Sequence, residues 1–202
     1  MYHLKPFNDI QHCRVVDSKN NLPSSIRRGG FILFRSNPDD IYFCFGVDSR
    51  TKELTDFGGT ILPNENPISG CIREFEEETC GVFVSKLFPN DIMNDYIFYN
   101  KSMAIIFHYY PYDITKPMKD FDDRISSNPN LFYEVDKIVW VPFRSLKLLM
   151  FKKSFRSYRL YFKVEMFLFH AFYDIWNVFC NSFSQTISYS WLNHQLEFPP
   201  LQ

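Results

Sequence analysis

Apolar residues in this chain first fall into short strand-like runs and then switch once to helical spacing. Phe31-Ile32-Leu33-Phe34 and Ile41-Tyr42-Phe43-Cys44-Phe45 are β-type runs separated by the turn-forming Ser36-Asn37-Pro38-Asp39-Asp40, which predicts a hairpin. A second turn, Asp48 to Lys52, leads into Glu53–Phe57, which ends at Gly58-Gly59. From Pro67 to Cys80 the pattern turns helical: Ile68, Ile72 and Phe75 form one apolar stripe, Asn66 suits the N-cap, Pro67 the first helical position and Gly81 the C′ position. Strands are predicted near 95–99 and 102–112, a polar loop over Thr115–Asn130, and a further strand over Lys137–Val141. From Arg144 to about Cys180 there is neither Gly nor Pro, so this run reads as helix, broken at most once. The first 30 residues are polar and turn-rich. Strands, a helix, strands and then helices predict a mixed α/β sandwich.

The helix over 67–80 carries chemistry as well as a core stripe. Glu74, Glu77 and Glu78 stand at i, i+3 and i+4, so three carboxylates leave one helical face. Like charges so spaced repel, and a hard divalent cation with oxygen preference relieves them. Taken alone, Glu74-Phe75-Glu76-Glu77-Glu78 is more often a solvated helix face. Its setting changes that balance: a Gly58-Gly59 turn, Glu65 six residues after Gly59, and Arg73-Glu74 eight and nine after Glu65.

This arrangement resembles the Nudix box, G-x5-E-x7-R-E-U-x-E-E-x-G-U with U apolar, through Gly59, Glu65, Arg73, Glu74, Phe75, Glu77 and Glu78. One position departs. The final glycine of the box falls on Cys80, and Gly81 follows one residue late, an offset expected to lengthen the last helical turn without moving the carboxylates. The resemblance extends through Glu134-Val135-Asp136-Lys137-Ile138-Val139-Trp140-Val141-Pro142 and covers roughly residues 28–155. It implies an α/β/α sandwich around a mixed sheet. Residues 1–27 are then a polar N-terminal segment. Residues 156–202 are a helical, aromatic-rich C-terminal extension, packed on the domain or in a dimer interface.

The resemblance further implies a hydrolase that cleaves a phosphoanhydride bond in a nucleotide-like diphosphate with Mg2+ or Mn2+. Metal binding is expected at Glu74, Glu77, Glu78 and the Gly58 carbonyl, with Glu65 and Arg73 holding those ligands in place. Catalysis is expected to draw on Glu77, Glu74, Arg73 and Glu134. The general base varies in the family, and Asp120, Asp122, Asp123 and Glu134 are the candidates outside the helix.

Composition adjusts this picture in a few places. Aromatics reach 19%, with 23 Phe, while Ala104 and Ala171 are the only alanines, a bias that fits an AT-rich genome such as that of a large DNA virus or of some protists. Net charge is −1, so no global electrostatic footprint of a nucleic-acid binder exists. Five cysteines without a CxxC pair read as reduced thiols of a cytoplasmic protein, in the host cytoplasm if the source is viral. No run is apolar enough to span a membrane. Between Arg144 and Lys163 seven cations interleave with aromatics, Lys152, Lys153, Arg156 and Arg159 among them. They read either as a phosphate or RNA grip, which would suit capped RNA and mRNA decapping, or as the wet face of an amphipathic helix. The apolar stretch from Met166 to Phe179 must be buried under the sheet or against a second copy, a homodimer through the C-terminal helices. Within the hydrolase class the rivals are nucleotide-sugar, dinucleotide and diphosphoinositol pyrophosphatases. A catalytically inactive binding module would lack a box carboxylate, and none is missing.

Overall fold

Strict alternation along the strands sends neighbouring side chains to two separate cores. A computed structural model describes residues 11–14, 22–37, 40–83, 95–151 and 154–183. Strand β1 (Gln11–Arg14), β2 (Arg28–Ser36), β3 (Ile41–Asp48), β4 (Leu54–Thr55), β5 (Phe57–Thr60), β6 (Tyr96–Tyr99), β7 (Met103–Tyr109) and β8 (Val135–Pro142) form one eight-stranded sheet. Its main path runs β1-β6-β7-β2-β3-β4, with β5 also on β2 and β8 also on β3. The pairing of β2 with β7 is parallel and the other pairings are antiparallel, so the sheet is mixed.

On β2, Ile32 and Phe34 join one core while Phe31 and Leu33 join the other. Helix α1 (Pro67–Glu78) and helix α2 (Thr115–Ser127) cover the Phe31 face through Ile72, Phe75 and Phe121. Helix α3 (Phe143–Phe151) and helix α4 (Phe162–Phe183) cover the Ile32 face through Leu146, Leu149, Leu168 and Ile175. The result is a three-layer α/β/α sandwich. A sheet covered on both faces explains why the strands read as continuous apolar runs. Phe179 is fully buried there, edge-on to Phe34 at 4.8 Å and to Phe43 at 5.1 Å. Removing such a ring costs about 3–5 kcal/mol.

Two local features differ from the sequence reading, and a third fixes where the C-terminal helical run breaks. Residues 115–127, expected as a polar loop, are the helix α2. Met118, Phe121 and Ile125 form its apolar stripe, Pro117 sits in its first turn where proline is tolerated, and Asp113, ahead of the uncapped Ile114 position, accepts Thr115 N–H at 3.1 Å. Second, β1 lies within the polar N-terminal stretch; an edge strand is held by its backbone and needs no apolar signature. The run after Arg144 is helical with a single break, within the sequence reading, but the break falls on the basic segment: α3 and α4 are two helices. Between them Arg156 and Ser157 take positive φ in a tight turn closed by Phe155 and Tyr158. Arg156 and Arg159 therefore sit on a connection, not on a helix face, and Lys152 and Lys153 lie outside the described residues.

Helix α4 is buried along Val164, Phe167, Leu168, Ala171 and Ile175, yet exposes Phe162, Phe169 and Tyr173. No helix among the described residues is long and apolar enough to cross a membrane.

Candidate active site

Two glycines allow α1 to settle directly on the sheet. In the β2–β5 ladder Gly29 lies opposite Gly59. A Cβ on Gly29 would stand 2.3 Å from Cys71 Sγ, and one on Gly59 would stand 2.3 Å from Glu74 Oε2. The absence of side chains here thus lets a helix carboxylate rest against strand backbone. Asn66 starts the helix by accepting Ile68 N–H at 2.9 Å, with Pro67 at its first position.

The helix ends at Glu78, not one turn later. Gly81 N–H donates to Glu76 O at 2.8 Å and Cys80 N–H to Glu77 O at 3.2 Å, the two bonds of a Schellman motif. Cys80 occupies its left-handed position at φ 53° and Gly81 follows at φ 64°. The glycine offset therefore does not lengthen the helix, because Cys80 adopts the glycine conformation itself. Arg124 of α2 donates to the Cys80 carbonyl.

Glu78 points inward. Its Oε2 accepts Gly58 N–H at 2.7 Å. Burial first, and then the like charge of Asp56, push its carboxyl up to about 9, with Glu134 adding to the rise and Gly58 N–H and Arg28 opposing it. Burial also raises Glu74, again with Glu77 and Glu134 adding to the effect. Glu134, exposed just before β8, thus faces the same cluster although it is 56 residues from Glu78 in sequence (134 − 78).

Arg73 organises the outer part of this face. It donates through Nε to Glu65 Oε1 at 3.0 Å, through Nη2 to Glu65 Oε2 at 3.1 Å and to Thr60 O at 3.0 Å. Its Nη1 reaches Glu74 Oε1 at 2.9 Å and Glu77 Oε2 at 3.2 Å. Glu65 also accepts Leu62 N–H at 2.8 Å, and its pKa is lowered, chiefly by the Arg73 hydrogen bond. Glu77 is the most open member, with its side chain 60% exposed. Among the described residues no three His, Cys, Asp or Glu side chains are drawn into a formed metal cage. Arg73 and Gly58 N–H hold the helix carboxylates in their present places.

A pair absent from the sequence reading lies behind this face. Arg28 Nη1 and Nη2 donate to Asp56 Oδ2 and Oδ1 at 2.7 and 2.6 Å, and Asp56 is fully buried. Arg28 Nη2 also donates to Gly58 O at 3.1 Å, the carbonyl implied as a metal ligand. Burial works against the Arg28 charge, but Asp56 more than offsets it, so its pKa ends above the ordinary value. The available signal was position: Arg28 directly precedes Gly29-Gly30, and Asp56 stands two before Gly58-Gly59.

The remaining acids stand elsewhere. Asp120 pairs with Lys116 on α2, Asp122 and Asp123 are exposed on that helix, and none of the three acts on Glu74 or Glu78 among their principal electrostatic influences.

Neither a described protein family nor a curated protein matches the sequence. Solved structures that resemble the chain include an Ap4A hydrolase of C. elegans, at 11% identity and TM-score 0.41, covering 74% of this chain and 98% of that one. A NUDIX-family hydrolase from Clostridium perfringens gives 15% identity and TM-score 0.39, covering 76% and 99%. The T. brucei MERS1–RNA complex gives 16% and 0.36, covering 65% and 55%. These scores are too low to carry a substrate or partner over to this chain.

Proposed function

We propose that this chain is a divalent-metal-dependent pyrophosphohydrolase of the Nudix type, acting on a nucleoside diphosphate linked to another moiety. One observation carries the reading. Glu78 is a half-buried carboxylate beside two like charges, on the same helix face as Glu74 and Glu77 and against the Gly58-Gly59 backbone. A group in that position is poorly compensated without a cation, and all-oxygen donors suit Mg2+ or Mn2+.

Glu74, Glu77, Glu78 and the Gly58 carbonyl would hold the ion, which would supply charge neutralisation and a polarised water for attack at phosphorus. Arg73 and Glu65 fix the ligand rotamers, and Arg28 orients Gly58. Glu134 and Glu77 are the exposed carboxylates able to accept the water proton.

The test is a substrate panel with Mg2+ or Mn2+: capped RNA, ADP-ribose, NADH, dinucleoside polyphosphates and diphosphoinositol phosphates. Release of methylated GDP selects decapping, and turnover of a small dinucleotide selects the alternative. Glu77→Gln should abolish turnover with the fold intact. Binding without turnover across the panel would leave an inactive binding module. The homodimer stays a separate proposal. Exposed Leu148, Phe151, Phe169 and Tyr173 motivate it, and sedimentation equilibrium tests it.

A further inference from the structure

Beside the carboxylate face, where β5 meets the start of α4, lies a cleft of about 700 Å³. That volume lies in the range of sites for small ligands. Its lining combines two chemistries: the cationic Arg27 and Lys163 with Gly59 and Thr60, and the apolar Phe162, Met166 and Met103. No carboxylate lines it, although the chain as a whole carries net charge −1. Positive charge is therefore concentrated here against the bulk trend, which favours an anion.

Arg28 also borders the cleft, but its guanidinium is already committed to Asp56 and Gly58. Arg27 and Lys163 are exposed; Arg27 uses Nη1 on the Ser24 and Ile26 carbonyls and has other N–H groups in its fork. Phe162 is 65% exposed at the head of α4. A large ring open to solvent, in a cleft that cations and Met166 also line, is a surface on which a nucleobase can stack.

The position relates the cleft to the carboxylates. Gly59 is shared: the cleft touches its residue, while Glu74 rests where its side chain would be. Thr60, also shared, accepts Arg73 through its carbonyl. The connection before α4 is pinned to β4, the strand just before the one that holds Gly59 and Thr60, since Leu160 bridges Leu54 and Tyr161 N–H donates to Leu54 O at 2.8 Å.

We propose that this cleft binds the nucleoside monophosphate half of the substrate, with the base on Phe162 and Met166 and the phosphate between Arg27 and Lys163. The segment at the start of α4 is thereby part of the binding site. This rests on the pyrophosphohydrolase reading for the substrate's identity, but binding can be measured without turnover.

The experiment titrates full-length, chelator-treated protein with AMP and GMP by calorimetry, using ribose 5-phosphate as the probe lacking a base. Phe162→Ala should weaken both nucleotides about tenfold and leave ribose 5-phosphate unchanged, the loss of one stacking contact. Lys163→Glu should weaken all three. In turnover assays KM should rise in both variants. Both side chains are exposed, and circular dichroism checks that the fold persists. Wild-type affinity in both variants, or no nucleotide binding by the wild type at millimolar concentration, overturns the proposal. If nucleotides bind through Phe162 and Lys163 but nothing is hydrolysed, the enzymatic reading fails and the cleft stands. If hydrolysis proceeds with KM unchanged in both variants, the cleft fails and the enzyme stands.

Discussion

Glu78 accepts the Gly58 N–H at 2.7 Å, so the last residue of α1 is tied to the first glycine of the Gly-Gly strand. Burial and the neighbouring Asp56 raise this carboxyl to about 9, from an ordinary value of 4.5. Between those two values the folded protein binds more protons than the unfolded chain, so stability falls as pH rises. Metal-free protein should melt at a lower temperature at pH 8 than at pH 6. Mg2+ or Mn2+ should reduce that slope, because an ion favours the charged carboxylate. Thermal melts with chelator and with metal decide it; a slope unchanged in Glu78→Gln would assign the effect to another group.

Arg28 and Asp56 form a two-pronged pair with Asp56 fully buried. Removing either partner strands a charge. Arg28→Met or Asp56→Leu alone should cost about 3–5 kcal/mol in urea unfolding, and the double variant should recover much of the loss. Simple additivity would show that the pair is not a unit. Because Arg28 also holds the Gly58 carbonyl, Arg28→Met should weaken metal binding too.

Cys80 holds a left-handed conformation at φ 53° that a glycine adopts without strain. Cys80→Gly should stabilise the protein by about 1 kcal/mol, read from the urea midpoint, with metal affinity unchanged. A loss of stability would mean that Cys80 side-chain packing outweighs the backbone strain.

Gly59→Ala would place a methyl group 2.3 Å from Glu74 Oε2. The carboxylate or the strand must then move. Metal affinity should fall at least about tenfold, measured by metal-dependent shifts of the melting temperature, while the secondary structure persists. Unchanged affinity would remove Glu74 from the ligand set.

The sequence displayed α1 well because every signal there is local: Asn66, Pro67, the stripe of Ile68, Ile72 and Phe75, and carboxylates at fixed spacing. The strands were legible for a different reason. Burial on both faces makes them uniformly apolar. Helix α2 was not legible, because its start carries no side-chain cap at Ile114 and charged residues surround the short stripe of Met118, Phe121 and Ile125. The Arg28–Asp56 pair joins residues that are distant in sequence, and a charge on a strand gives no hint of its partner. The cleft at the head of α4 depended on tertiary contacts that no spacing encodes.

Phe179 near the end of α4 closes the core under Phe34, Phe43, Phe107 and Phe143 from the sheet and α3. During synthesis the strands emerge first, and that side of the sheet stays uncovered until α4 has left the ribosome. The nascent chain consequently carries a broad aromatic surface in need of shielding for most of its translation. A ribosome stalled before residue 162 should hold a species that binds hydrophobic dyes and chaperones, and one released after residue 183 should not.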